Sequence, residues 1–236
     1  MKETLKRLLE SWQLPAEPLT LELFEAYCAL LLERNREMNL IGEASPNEIA
    51  ARHFLDSLAP LMAAKIPQGA SLIDVGSGAG FPGLPLKIFR PDLRVTLLDS
   101  QTKRIEFLAE TIRKLKMENI FALNARAEEA ASSPENRESF DFATSRAVAK
   151  MSALCELCLP FVKLGGEFLA MKSRKSLEEQ DEAARAVAKL GGVFLPRFDY
   201  NLPPEGAELC VVRVKKSSPT PQNYPRSWAK IKKAPL

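Results

Sequence analysis

Hydrophobic positions change their period near residue 70, and this change separates two kinds of local structure. Over 20–40 the apolar residues recur with the spacing of one helical face, at Leu23, Tyr27, Leu30, Leu31 and Met38. A further helix is expected over 46–65, because Ser45-Pro46-Asn47-Glu48 supplies an N-cap, a proline at the first helical position and a capping-box glutamate. Residues 1–66 are therefore predicted to form helices.

From residue 71, short apolar runs alternate with amphipathic segments. The short runs predict strands at 71–75, 94–99, 119–123, 140–145 and 166–172. The segments between and after them predict helices at 83–90, 101–117, 151–163 and 175–190. Alternation of this kind is typical of a parallel sheet covered by helices on both faces.

Two further apolar runs, GVFLPRFDYNL and AELCVVRVKK, are separated only by a turn-like PPEG. They should pair as an antiparallel hairpin at one edge, which gives an α/β fold with a mostly parallel seven-stranded sheet. We expect three parts: an N-terminal helical extension at 1–66, a Rossmann-like domain at 67–216 and a basic C-terminal tail at 217–236. The tail contains several prolines and is expected to order, at least in part, only on contact with a partner.

Composition fits one soluble cytoplasmic domain. With 236 residues, 46% of them hydrophobic, the chain can bury one substantial core. Its N-terminus resembles neither a signal peptide nor a membrane anchor, and no later run is apolar enough to span a membrane. Cys155-x-x-Cys158 has no second cysteine pair, and the single histidine is remote in sequence, so we interpret both cysteines as buried helix residues and expect no metal.

Charge is distributed unevenly. Seven basic residues and no acidic residue follow Glu208, although the net charge of the whole chain is only +3. Such a tail fits either a solvated solubility segment or a polyanion-binding segment, since lysine and arginine release counterions when they meet phosphates.

The strongest local signal is the glycine-rich loop Asp74-Val75-Gly76-Ser77-Gly78-Ala79-Gly80, which directly follows the first predicted strand. Glycines let the backbone turn tightly and let a ligand approach closely, and ligands of open α/β sheets lie beyond such strand ends. Because Gly78, Gly80 and Gly83 also fit the dinucleotide fingerprint, the glycines alone leave both NAD and S-adenosylmethionine open. Asp99, at the end of the next strand, could accept from ribose hydroxyls of either cofactor.

Asp74 distinguishes the two cofactors. A carboxylate beside the loop would repel a pyrophosphate and attract the ammonium and sulfonium groups of S-adenosylmethionine. The overlapping glycine spacing at 76–80 is also usual in methyltransferases. Phe81 could pack on the cofactor or merely fill the loop.

Further sequence motifs, spread over most of the chain, are consistent with an S-adenosylmethionine-dependent methyltransferase. They are Asn35-x-x-Met38-Asn39-Leu40, Arg52-His53-Phe54-Leu55-Asp56-Ser57, the loop with Phe81-Pro82-Gly83-Leu84-Pro85-Leu86, Leu98-Asp99-Ser100-x-x-Lys103-Arg104, Arg126-Ala127-Glu128-Glu129, Ser145-Arg146-Ala147, Tyr224-Pro225-Arg226 and Pro235-Leu236. Together they resemble the 16S rRNA guanine-N7 methyltransferase family, historically called glucose-inhibited division protein B. The resemblance implies the class I S-adenosylmethionine-dependent methyltransferase fold.

The resemblance also implies positions for the cofactor. Gly76 and Phe81 would contact it at the loop, Asp99, Ser100 and Gln101 would lie near ribose and adenine, Ala127 and Glu128 would flank the adenine, and Arg146 would close the site. An arginine at a strand end is also well placed for the donor's carboxylate or for RNA phosphate. Two positions depart from the family: Ile41 replaces a frequent threonine, and Arg226-Ser227-Trp228-Ala229 replaces a segment that often has lysine or glycine.

The implied partner is 16S rRNA or the small ribosomal subunit, approached by a monomer. Candidate RNA-binding residues, besides Arg146, are Lys103, Arg104, Arg126, Lys172, Arg226, Lys230, Lys232 and Lys233. Lys103 and Arg104 open a helix, where their charge opposes the helix dipole, so an anionic partner would compensate.

The implied reaction needs no catalytic base. Guanine N7 carries a lone pair and no proton, so the enzyme has mainly to align reactants in a water-poor site. N7 lies in the deep major groove of an A-form helix, which favours a loop or a splayed-out base as target. His53, Asp56 and Ser57 share one helical face by their spacing, and we interpret His53 as a positioning residue, with a general base as the alternative.

Other classes of function remain open from the sequence. They are a methyltransferase acting on another RNA or a small molecule, an NAD-dependent oxidoreductase, and a non-catalytic RNA-binding module. The basic tail argues against a small-molecule substrate.

Overall fold

A computed structural model of the chain describes residues 1–146, 149–173, 178–203, 206 and 208–236. Its first part is helical, as predicted, with α1 (Lys2–Ser11), α2 (Pro18–Met38), α3 (Pro46–Ile49) and α4 (Ala59–Ala63). The capping box at α3 is confirmed, because Ser45 Oγ accepts from the Glu48 N–H and Glu48 Oε2 accepts from the Ser45 N–H. The expected continuous helix over 46–65 is interrupted by a π-helical turn at Ala50–Leu55, which contains His53.

Strands and helices then alternate along the chain. The elements are β1 (Ser71–Val75), α5 (Gly83–Phe89), β2 (Arg94–Asp99), α6 (Thr102–Lys114), β3 (Ile120–Asn124), α7 (Ala127–Ala130), β4 (Phe140–Arg146), α8 (Met151–Cys158), β5 (Val162–Ser173), α9 (Glu178–Glu182), α10 (Ala184–Lys189), β6 (Gly192–Asn201), β7 (Glu208–Lys216) and α11 (Trp228–Lys233). The first two strands have the predicted bounds.

Two helix predictions need correction. The helix expected over 151–163 ends at Cys158, because a 3-10 turn containing Pro160 follows and β5 begins at Val162. The helix expected over 175–190 is divided into α9 and α10, and its positions 175–177 lie outside the described residues, as does Ala147 of the motif after β4.

The seven strands form one sheet in the order β3-β2-β1-β4-β5-β7-β6. Strands β1 to β5 are parallel, and β7 pairs antiparallel with both β5 and β6, which confirms the hairpin at one edge. Residues 204, 205 and 207 of the connection between β6 and β7 lie outside the described part of the chain. The strand order reverses between β1 and β4, and ligands of open α/β sheets bind beyond such a point.

Two apolar clusters cover the two faces of the sheet. One contains side chains of α1, α2, α5 and α6, including the fully buried Phe24 and Leu84. The other contains side chains of α8, α10 and α11, including the fully buried Leu154 and Ile231. The N-terminal helices therefore share their core with the sheet.

The C-terminal tail packs against the domain, so the expectation that it orders only on contact is wrong. Tyr224 and Ile231 are buried in the second cluster. The guanidinium of Arg137 also donates to three tail carbonyls, those of Thr220, Pro221 and Tyr224. Buried apolar side chains and paired carbonyls supply the free energy that orders this segment.

Candidate active site

The glycine-rich loop turns back over the ends of β1 and β2. Gly76, Gly78 and Gly80 have φ angles of 77°, 58° and 107°, in the region that side chains other than glycine rarely adopt. The N–H groups of Gly76 and Ser77 donate to the Leu98 carbonyl at 2.8 and 3.0 Å. The loop is thus fixed to the neighbouring strand, and its glycines satisfy a backbone requirement.

A pocket of about 560 Å³ opens beside this loop, at the carboxyl ends of β1 to β4. Twelve of the predicted site residues line it: His53, Gly76, Gly78, Phe81, Asp99, Ser100, Gln101, Arg104, Arg126, Ala127, Glu128 and Arg146. Apart from Gly78 itself and its two chain neighbours, the nearest protein atom to a Cβ added at Gly78 would be the Gly76 carbonyl oxygen at 4.0 Å, so that side of the loop is open to a ligand.

Asp74 and Gly80, the two ends of the loop segment, are not part of this lining. The Asp74 carboxylate is fully buried and its Oδ2 accepts from the Gly83 N–H at 2.9 Å. Its Oδ1 has no hydrogen-bond partner among the described residues, and burial raises the pKa of this carboxyl to about 7. A Cβ at Gly80 would lie 2.9 Å from the Tyr27 hydroxyl, so this glycine permits packing of α2 against the loop.

Asp99 joins the loop to the start of α6. Its Oδ2 accepts from the Gly78 N–H and its Oδ1 from the Gln101 N–H, both at 2.9 Å, and Arg104 lies 3.4 Å away. A carboxylate has about four lone-pair directions, so these three partners leave capacity for one ribose hydroxyl. The side chain is only 5% exposed and its position is therefore well defined.

The opposite wall is built around Arg146, at the end of β4. Its Nη1 donates to Asp56 Oδ2 at 2.9 Å, and its Nη2 lies 3.2 Å from His53 Nδ1. The guanidinium carbon lies 4.6 Å from the centre of the Phe81 ring, and the His53 ring stacks on Phe81 at 5.0 Å. Asp56 also accepts from the Tyr200 hydroxyl at 2.6 Å.

His53 is electrically neutral in this arrangement. Desolvation, followed by the charges of Arg146 and Arg52, lowers the pKa of its imidazole to about 4. Because an arginine can only donate, Nδ1 acts as the acceptor and the remaining proton resides on Nε2. Ser57, which shares the helical face, donates instead to the His53 carbonyl at 2.6 Å.

The basic candidates fall into three groups. Arg104 and Arg126 line the pocket, each paired with an acid, Asp99 and Glu128 respectively. Two others are engaged inside the protein: Lys172 with Glu179 and the Ala149 carbonyl, and Arg226 with Glu156. Lys103 and the tail lysines 230, 232 and 233 are exposed. The internal ion pairs argue against RNA contacts from Lys172 and Arg226.

Several pocket residues were missed by the sequence reasoning. They are Leu40, Ile41, Val75, Ser77, Ala79, Leu98, Ala125, Leu157 and Trp228. Most are neighbours of predicted residues and could have been included by proximity alone. Trp228 comes from the tail, more than 80 residues beyond β4, and no local signal places it at the pocket.

The pair Cys155 and Cys158 is fully buried in α8, and burial raises the pKa of both thiols. Within the described ranges, no group of three histidine, cysteine or acidic side chains could hold a metal ion. In the same part of the chain, no helix has the length and apolar character required to cross a membrane.

The strand order and the pocket beyond β1 define the fold of class I S-adenosylmethionine-dependent methyltransferases. The solved structure of M. jannaschii TYW2 in complex with AdoMet superposes with a TM-score of 0.52 at 15% identity, covering 64% of this chain and 71% of that chain. The [4+2]-cyclase SpnF superposes with a TM-score of 0.57 at 16% identity, covering 81% and 93%. Because one of these neighbours is named a cyclase, the shared fold alone does not assign a reaction.

Comparison with sequence relatives identifies the family within this fold class. The chain matches the family model GidB, rRNA small subunit methyltransferase G, over residues 20–197. A ribosomal RNA small subunit methyltransferase G of Lachnoclostridium phytofermentans is 47% identical over 216 residues, 92% of this chain and 89% of the relative. That of Lactobacillus delbrueckii subsp. bulgaricus is 39% identical over 236 residues, 99% of each. The chain belongs to the rRNA small subunit methyltransferase G family.

Proposed function

We propose that this protein transfers a methyl group from S-adenosylmethionine to N7 of a guanine in 16S rRNA. The observation that carries the proposal is a pocket with the glycine loop and Asp99 on one wall and Arg146, His53 and Phe81 on the other. Membership of the family supports the small-subunit rRNA as substrate. An NAD-dependent oxidoreductase is not favoured.

The pocket residues fit the donor in a definite order. Asp99 accepts from a ribose hydroxyl, Ser100 and Gln101 lie beside it, and Ala127 and Glu128 flank the adenine. Gly76, Gly78 and Phe81 border the methionine portion, where Arg146 pairs with the donor's carboxylate or with RNA phosphate. Asp74 acts from beneath the loop, through its charge and its bond to Gly83.

S-adenosylmethionine supplies an electrophilic methyl group, and guanine N7 has a free lone pair, so the protein has no proton to remove before the bond forms. Arg146 is fixed by Asp56 and His53, and Phe81 is fixed by the stacked imidazole. These contacts give the acceptor a rigid wall, so the rate gain arises from positioning. The neutral His53 contributes an Nε2–H donor to this wall.

Exposed lysines contribute the attraction to RNA. Lys103, Lys230, Lys232 and Lys233 supply charge for the phosphates, and Arg104 and Arg126 supply charge at the pocket edge. We propose that the protein acts as a cytoplasmic monomer without a metal, with residues 1–66 as a helical extension, 67–216 as the catalytic domain and 217–236 as a tail integral to the site.

Transfer of labelled methyl from S-adenosylmethionine to 16S rRNA, and to small subunits lacking the modification, tests the proposal. Cleavage chemistry selective for N7-methylguanine should map the label to one guanine. Incorporation at another atom would contradict the N7 assignment. Absence of incorporation into either substrate, with the donor bound, would redirect the search to another RNA or to a non-catalytic RNA-binding role.

A further inference from the structure

We propose that Trp228, supplied by the C-terminal tail, forms the adenine-binding wall of the donor pocket. The inference rests on the proposed function and extends it, because it makes the tail part of the cofactor site. Trp228 lines the pocket together with Ala127 and Glu128, although it stands about a hundred positions further along the chain.

The tail is anchored firmly on both sides of this tryptophan. On one side, Arg226 makes three hydrogen bonds of 2.6 to 2.9 Å to Glu156, whose side chain is fully buried. On the other side, Ile231 of α11 is also fully buried, in the cluster that contains α8. The segment that carries Trp228 is therefore held at a fixed place on the domain.

A direct bond connects Trp228 to the predicted adenine site. Its backbone N–H donates to Glu128 Oε1 at 3.2 Å, and the same oxygen accepts from Arg126 Nε at 2.8 Å. Glu128 lies in the first turn of α7, directly after β3. One carboxylate thus fixes the pocket edge and the tail relative to each other.

The position of the indole favours adenine over the rRNA guanine as its partner. Ala125, Ala127 and Trp228 pack against the apolar cluster of α8. Phe81 belongs to the cluster on the other face of the sheet, where His53 stacks on it. Asp99, the ribose acceptor, lies at the end of β2, next to β3. The base attached to that ribose reaches the wall that contains Trp228, and the reacting end reaches Phe81.

An indole suits this role chemically. Its flat apolar face stacks on a purine, and it offers this face at a small cost in side-chain entropy.

The chain has two tryptophans, which gives a spectroscopic test. Trp12 lies outside the pocket lining, with its ring 5.7 Å from Tyr200. Trp12→Phe leaves Trp228 as the only indole, and Trp228→Phe leaves Trp12 as the matched control. Titration with S-adenosylhomocysteine should change the fluorescence of the first variant and leave that of the second unchanged.

Calorimetry on the full chain gives the second measurement. Trp228→Ala should raise the Kd of S-adenosylhomocysteine on the order of tenfold, the effect of losing one stacked base. Trp228→Phe should restore most of the affinity, and both variants should keep the KM for the small subunit. The fluorescence arm still decides the matter if Trp228→Ala does not fold.

Three results would overturn the inference. If the Trp228 fluorescence of the Trp12→Phe variant does not change although calorimetry shows normal binding of S-adenosylhomocysteine, the inference is wrong. The proposed function is unaffected by that result. A raised KM for the small subunit with an unchanged Kd for S-adenosylhomocysteine assigns Trp228 to rRNA instead. Absence of binding by the unaltered protein overturns the proposed function together with the inference.

Discussion

The guanidinium of Arg146 donates to the carboxylate of Asp56 over 2.9 Å, and this pair joins the end of β4 to the residue that directly follows the π-helical turn of the N-terminal helices. Asp56 is buried, and Arg146 is 17% exposed at its side chain. A charge-assisted bond of this kind in a poorly solvated position fixes direction as well as place. Arg146 is therefore presented to the pocket in one orientation.

Asp56→Asn should lower kcat/KM about tenfold, because Arg146 loses its charged partner while the volume is preserved. Tyr200→Phe removes the second donor to Asp56 and is the matched control, with an effect of only a few fold. Steady-state methylation and the thermal midpoint should be measured together. Unchanged kinetics in Asp56→Asn would show that groups other than Asp56 orient Arg146.

His53→Asn should retain activity within about tenfold, because the amide oxygen can replace Nδ1 as the acceptor for Arg146. Since the pKa of His53 is about 4, the rate should show no histidine-dependent change from about pH 6 to about pH 8. Measurement of kcat against pH in both proteins checks this. A loss of about a hundredfold or more, together with loss of a pH-dependent limb, would identify a general base.

Substitutions at two loop glycines should impair different properties, donor affinity in one case and stability in the other. Gly76→Val introduces a branched side chain at a φ of 77° in the pocket lining, and donor affinity should fall at least about tenfold. Gly80→Ala places a Cβ against Tyr27 and Leu108, so the free energy of unfolding should fall by about 1–3 kcal/mol. Calorimetry and denaturant unfolding separate the two. Full donor affinity in Gly76→Val would contradict the proposal that the donor binds against the loop at Gly76.

Asp74→Asn should stabilise the ligand-free protein at pH 8. The pKa of Asp74 is raised from 3.8 to about 7, so the folded state binds more protons than the unfolded state between these values, and stability is lost as pH rises through about 7. Asparagine has no such titration and can still accept from Gly83. We expect a gain on the order of 1 kcal/mol, about 2–4 °C in Tm. A lower Tm than the unaltered protein at pH 8 would contradict this prediction.

The same variant tests whether Asp74 recognises the donor's charge. Asp74→Asn should raise the Kd of S-adenosylmethionine more than that of S-adenosylhomocysteine, because only the former carries a sulfonium charge. Equal changes in both Kd values would limit Asp74 to holding the loop through Gly83.

Replacing Lys230, Lys232 and Lys233 by glutamine should reduce the salt dependence of small-subunit binding. If these lysines contact phosphates, the slope of log K against log salt should fall by about 2. Lys65 and Lys116 are exposed and precede β1 and β3, so they lie towards the amino ends of these strands, whereas the pocket lies at the carboxyl ends. They form the control pair. An identical slope in the triple variant would assign the tail to the donor pocket alone.

Sequence periodicity determined the elements that depend on nearby residues. The bounds of β1 and β2 follow from short apolar runs, and the capping box at Ser45 follows from groups three residues apart. The end of α8 was misplaced because apolar spacing continued past Pro160, whose missing N–H ends the helix. The loop glycines were predictable because their backbone conformation is a local requirement.

Tertiary structure alone decided which distant side chains meet. Asp74 stands beside the loop in sequence but points beneath it to Gly83, and Arg226 was a candidate for RNA but is paired with the buried Glu156. The meeting of His53, Asp56 and Arg146, and the placement of Trp228 beside Glu128, depend on how helices and tail pack on the sheet. Periodicity carries no information on such contacts, because burial and charge pairing between remote segments select them only when the chain has folded.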